Sequence, residues 1–94
     1  MSQLFEWDRD KARENLWKHG VSFGEAGTAF GDFHSITTPD PDHSSPSEPR
    51  FLTIGLSARY RLLVVIHCER KDVTRIISAR KATKGERNRY EEEM

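Results

Sequence analysis

Cysteine is almost missing from this 94-residue chain, Cys68 being the only one, so an internal disulfide and a cysteine-based zinc site are both excluded and a reducing compartment is the simplest home. No apolar run approaches the roughly 20 residues needed to span a bilayer, and the first residues lack the basic then apolar layout of a signal peptide. A cytoplasmic protein without membrane contact is expected. Proline is confined to one stretch, where Pro39, Pro41, Pro46 and Pro49 fall together. Net charge is absent too, with fifteen basic side chains against fifteen acidic ones. No internal repeat is evident, and the length fits a single domain over residues 1–94 with one core of little surplus stability.

The zero balance hides a segregation along the chain. Residues 1–58 carry five basic and nine acidic side chains, residues 59–89 carry ten and three, and residues 90–94 add three glutamates. A basic segment on rigid strands suits a phosphate-facing surface, because Lys and Arg neutralising phosphates supply most non-specific nucleic-acid affinity. The alternative is a solvated face balanced by acidic neighbours in the fold.

Most aliphatic residues lie between Arg50 and Arg80. Leu52, Ile54 and Leu56 alternate, as in a strand with one buried face, while Leu62 to Ile66 is apolar throughout, as in a central strand covered on both faces. With Val73 to Arg80 they form an antiparallel meander joined by short polar turns at residues 57–60 and 70–72. Upstream, Leu4 to Trp7 reads as an edge strand and Ser35 to Thr38 as another short one. Asp8 caps a helix ending at Gly20, with Ala12, Leu16 and His19 along its inner side. The Ser22 and Glu25 spacing of a capping box opens a short second helix presenting Phe23, Ala26 and Phe30, and Thr83 with Glu86 opens a C-terminal helix. Residues 39–49 read as an irregular surface loop. The expected fold is α+β: a small antiparallel sheet, made of the meander plus one or two short N-terminal strands, packed with two N-terminal helices and a C-terminal helix.

His67 and Glu69 stand two apart on one strand, so their side chains share a face. A carboxylate beside an imidazole suits a general acid or base near neutral pH, although a plain His and Glu pair at the sheet rim has the same spacing. Cleavage of RNA without a metal needs such a group and a cation on the phosphorane, and Arg50, Arg61, Arg75 and Arg80 lie on or beside these strands. Hairpin length decides which of them share the His67 face. A three-residue loop pairs His67 with Arg75 and turns Arg80 away, whereas a two- or four-residue loop brings Arg80 to the His67 face. Asp40, Asp42 and His43, with Glu48 beyond them, could hold a metal, but the prolines splay them and a polar turn fits better; His43 keeps a role as a loop-borne acid or base. His19 reads as a partly buried imidazole at a helix end, Tyr90 as a packing residue, Cys68 as a small core residue opposite His67, and Trp7 and Trp17 as core or partner contacts.

The stretches Phe5 to Asp8, Lys18 to Phe23, Asp40 to Ser44, Arg50 to Gly55 and Arg75 to Thr83, with Glu86, Arg87, Tyr90 and Glu91, together resemble the BrnT-type ribonuclease toxins of bacterial type II toxin–antitoxin pairs. The resemblance implies a fold similar to the RelE-like toxins and RNA cleavage with no metal or other cofactor, inhibiting translation. It also implies neutralisation by a partner resembling the BrnA ribbon-helix-helix antitoxins in a hetero-oligomer that meets operator DNA only through the antitoxin. Carried over by the resemblance are Lys18, His19, His43, Arg50, the His67 and Glu69 pair, Arg80 and Tyr90. The expected catalytic set is His67, Glu69, Arg80 and Arg50; the expected RNA-binding set is Arg61, Arg75, Lys81, Lys84 and Arg87; Lys18, His19, His43 and Tyr90 are accessory. A different class of function, a non-catalytic protein- or DNA-binding module acting in transcriptional autoregulation, is also compatible with the basic strands.

Overall fold

A computed structural model describes residues 3–94. The chain runs β1 (Leu4–Glu6), α1 (Arg9–His19), α2 (Phe23–Thr28), β2 (Ile36–Pro39), β3 (Phe51–Leu56), β4 (Leu62–Arg70), β5 (Val73–Lys81) and α3 (Lys84–Glu92). The strands form one sheet in the order β1-β5-β4-β3-β2, antiparallel except where β1 runs parallel to β5. This is the expected α+β arrangement with both short strands present, but the sheet is mixed. No hairpin ties β1 to β5, so nothing local dictates their relative direction.

The apolar run of β4 is covered on both sides. Leu63 and Val65 pack under Val21, Phe23, Ala26 and Ala29 from the N-terminal helical layer, while Leu62, Val64 and Ile66 pack with Ile54 and with Tyr90 of α3. β3 is also buried on both faces, beyond its expected single one, because Thr53 and Gly55 lie beneath the turn that follows α2. A Cβ at Gly55 would stand 2.5 Å from the Ala29 carbonyl oxygen. Gly55→Ala is therefore expected to destabilise the fold by about 1–3 kcal/mol through overpacking, measurable as a lower denaturant midpoint with an unchanged slope.

Asp8 caps α1 by accepting from the Asp10 N–H at 2.8 Å, and Gly20 ends it with φ of 68°. The buried face differs from the apolar stripe. Asn15 is the buried residue of α1, whereas Leu16 and His19 are exposed. The reason is position, since α1 crosses the edge of β5 beyond the end of β1 and needs a polar group there. Asn15 Nδ2 donates to the Val21 and Ala79 carbonyls at 2.9 and 2.8 Å, and the Ala79 N–H donates to Asn15 Oδ1 at 3.1 Å. Trp17 is exposed, and Trp7 packs edge-on to Phe23.

The box at α2 is half formed. Ser22 Oγ accepts from the Glu25 N–H, but the Glu25 carboxylate accepts from Arg61 and Ser57 instead of returning to Ser22. At α3 both halves form, Thr83 Oγ1 accepting from the Glu86 N–H and Glu86 from the Thr83 N–H. The proline-rich stretch is tied rather than loose. It holds a single 3-10 turn, Pro41–His43, and a bridge between Ser45 and Glu48, and the Ser44 hydroxyl closes its neck by accepting from the Arg50 N–H at 2.7 Å while lying 2.7 Å from the Asp40 carbonyl.

Candidate nucleic-acid interface

The turn joining β4 to β5 contains two residues, Lys71 and Asp72, with Lys71 at a φ of 56°, as tight hairpins require. Pairing starts Arg70 with Val73, Cys68 with Arg75 and His67 with Ile76, then shifts to Ile66 with Ser78, Val65 with Ala79 and Val64 with Arg80. Ile77 is the extra residue of a β-bulge. A two-residue turn alone would bring Arg80 to the His67 face; the bulge sends it to the other one. Arg75 and Arg80 are five apart, so simple alternation would separate them. The bulge absorbs one residue and sets both on the side of Val64 and Cys68.

Arg70 shares that side by alternation along β4, and Arg50, continuing the Leu52 and Ile54 parity of β3, joins it. Four arginines thus project from the sheet face on which α3 lies. Each has a carboxylate partner. Arg80 forms a two-pronged pair with Glu86 at 2.7 and 2.8 Å, Arg75 lies 3.7 Å from Glu6 of β1, and Glu48 accepts from Arg50 at 3.2 Å and from Arg70 at 3.0 Å. The Arg80 guanidinium holds the Glu86 carboxyl down at about 2, with help from the cap at Thr83, so Glu86 stays ionised at any working pH. The hydrogen bonds from Arg70 and then Arg50 likewise lower Glu48. Tyr90 closes the far end of α3 by donating to Asp32 at 2.5 Å, and burial first, then that carboxylate, pushes its hydroxyl up to about 12.

His67 sits on the other face, away from the arginines, and is 2 % exposed. Its ring meets Phe30 edge-on at 4.8 Å between centroids, and Nε2 lies 2.8 Å from the Thr53 hydroxyl, which is 2.7 Å from that of Thr37. Nδ1 has no partner. An orphan acceptor costs less than an orphan donor in this surround, which assigns the proton to Nε2. Glu69 is exposed at the strand end and accepts from Thr74. The expected pair therefore shares a face, but its histidine is sealed within the helical layer. Burial lowers the His67 pKa, against a smaller upward pull from Glu69. The unfolded chain takes this proton below about pH 6.5 while the folded chain resists it, so stability is full above that pH and declines below it. His67→Gln is expected to remove this part of the acid sensitivity, read as a flatter denaturant midpoint between about pH 7.5 and about pH 5.

The remaining expected residues divide. Arg61 points to the helical layer, where Glu25 takes its guanidinium with both oxygens and the Gly20 carbonyl accepts at 2.9 Å; it ties the β3 and β4 turn to α2 and is apart from the arginine face. Lys81 pairs with Leu63, also on the helical side, and is exposed. Lys84 and Arg87 are exposed on α3. Lys18 pairs with Glu14 at 3.2 Å on α1, and Cys68 is buried on the side opposite His67.

A sequence model described as the ribonuclease toxin BrnT of type II toxin–antitoxin systems matches residues 7–86. The chain belongs to the BrnT family. Its fold agrees with the crystal structure of the ribonuclease toxin BrnT from Brucella abortus, with a TM-score of 0.69 over 88 % of this chain and 100 % of that one, at 24 % identity. That likeness concerns fold alone. No curated protein matches this chain. The BrnT match spans the bulged hairpin and all four arginines and stops at Glu86, so it includes Asp32 but not Tyr90, which donates to it. Ribonuclease toxin activity in a type II toxin–antitoxin system is a property of the BrnT family as a whole.

Arg70 carries no signal of its place in the sequence, and Asp40 and Glu48 stand out there only as candidate metal ligands, not as partners of the histidine and the arginines. Arg70 reads as part of the turn, since nothing local shows that β4 runs to nine residues. Glu48 reads as a loop acid because its partners come from two strands. Asp40 reads as a candidate metal ligand or an acid of a polar turn, yet it is buried.

Proposed function

We propose that this BrnT-family chain is an endoribonuclease that cleaves RNA without a metal, halts translation and is neutralised by a ribbon-helix-helix antitoxin, through which alone the pair meets operator DNA. The arginine face of the sheet is the RNA-binding surface. The observation that carries this reading is the bulge at Ile77, which gathers Arg75 and Arg80 onto the face already holding Arg50 and Arg70. Planar guanidinium forks suit phosphate oxygens, and here each fork is held ready by a carboxylate that an arriving phosphate replaces. The aliphatic stems lie on the sheet while the charged ends face water. Lys84 and Arg87 extend the basic surface along α3. His67 and Glu69 take no proton-transfer role in this reading, because a buried ring beneath Phe30 cannot reach a phosphodiester.

Incubating the purified, antitoxin-free chain with total RNA in EDTA tests it. Cleavage is expected. Cleavage only after manganese or magnesium is restored would replace the metal-free reaction by a metal-assisted one. A folded sample that binds but never cuts RNA would make the face a binding surface only.

A further inference from the structure

The geometry points to His43, oriented by Asp40, as the general base and acid of RNA cleavage, resting on the reading of the arginine face as the RNA surface. Asp40 continues the β2 register opposite Arg50, its N–H donating to the Arg50 carbonyl at 2.9 Å. Alternation with Ile36 and Thr38 puts it on the arginine side of the sheet. Its side chain is only 10 % exposed, and among the described residues Oδ2 has no hydrogen-bond partner of ordinary geometry. The group against that oxygen is the His43 ring, Nδ1 standing 2.7 Å away. A buried carboxylate is costly unless a charge or donor faces it, so this arrangement favours a ring that turns Nδ1 inward. His43 itself is 59 % exposed. Nε2 is the nitrogen left toward solvent.

The loop keeps this pair beside the arginines. The Ser44 hydroxyl clamps Asp40 to Arg50, and Arg50 reaches Arg70 through Glu48. Of the four histidines in the chain, this one combines an inward ring nitrogen on a carboxylate, an open outward nitrogen and a place at the end of the arginine row. Neutral His43 takes the proton of an RNA 2′-hydroxyl at Nε2 as the 2′ oxygen bonds to phosphorus. The bond from phosphorus to the 5′ oxygen breaks, and the same proton passes from Nε2 to that leaving oxygen. The products are a 2′,3′-cyclic phosphate and a 5′-hydroxyl, with no net proton change. Asp40 touches no substrate and is a positioning residue.

His43→Ala is expected to slow cleavage by roughly 10²-fold or more with RNA affinity kept and only a modest fall in melting temperature, since Asp40 loses its facing ring, and free imidazole is expected to restore part of the rate. Asp40→Asn is expected to slow cleavage with RNA affinity kept, and Asp40→Glu to restore part of the rate, because the ring loses and then regains a facing carboxylate that orients it. His43→Ala or His43→Gln variants cutting within about threefold of the parent rate, or slow variants that imidazole leaves unchanged, would overturn the assignment and leave the arginine face standing. A parent protein that cuts no RNA removes the reading of the face and this assignment together.

Discussion

Arg80→Ala is expected to slow RNA cleavage by about 10²-fold or more, the range seen when one preorganised donor to a developing oxyanion is lost. Arg80 presents its guanidinium edge to Glu86 with two short hydrogen bonds, the geometry that would meet two phosphate oxygens. It also stands where the covered part of the face under α3 gives way to the open part bearing Arg50, Arg70 and Arg75. Arg80→Lys keeps the charge but loses the fork, so it is expected to recover affinity more than rate. The fold is expected to survive both changes, because Glu86 still accepts from the Thr83 N–H and Thr83 still caps α3. Initial rates on a defined RNA, with circular dichroism as the check on folding, decide the matter; an unchanged rate for Arg80→Ala removes this residue from the reaction. Glu86→Gln gives the converse, freeing Arg80 and raising RNA affinity at a small cost in helix capping.

Asn15→Leu is expected to destabilise the protein by on the order of 3 kcal/mol, with a fall in Tm on the order of 15 °C for a domain of this size. The substitution keeps the number of side-chain heavy atoms but adds bulk at a buried position, so overpacking adds to the loss of hydrogen bonds. It leaves the Val21 carbonyl and both backbone groups of Ala79 without the partners that Asn15 supplies. The same change uncovers the β5 edge beyond β1, an invitation to strand addition, so increased self-association during heating is expected beside the lower Tm. Light scattering and a thermal melt measure the two effects. A Tm within a few degrees of the parent would show that water replaces Asn15 without loss.

The contrast between these two residues marks what was readable. Arg80 is conspicuous in sequence because it ends an apolar strand within a stretch that resembles a known family. Asn15 is inconspicuous, since an asparagine inside an amphipathic helix reads as a wet-side residue and the apolar stripe of Ala12 and Leu16 directs attention elsewhere. The stripe fails as a guide because α1 meets a strand edge, whose unpaired N–H and C=O groups need polar partners, rather than an apolar sheet face. Glu25 misleads for a related reason: its spacing from Ser22 fits a local box, and the stronger competitor is a guanidinium 36 positions away. His67 and Glu69 have the spacing of an acid and base pair, and alternation does put them on one face. Burial of His67 depends on Phe30, delivered by the turn after α2, which no property of the strand reveals.

The sequence by itself determined the elements and their order, the caps at Asp8, Ser22 and Thr83, the central position of β4, and family membership, because each depends on residues close together in the chain. The tertiary structure alone decided which charges act together. Strand alternation counts one residue per pleat, and the extra residue at Ile77 reverses that count for everything after it. It is defined only by the partner strand that faces it, so the gathering of Arg75 with Arg80, and the separation of both from His67, emerged when β4 and β5 were laid side by side.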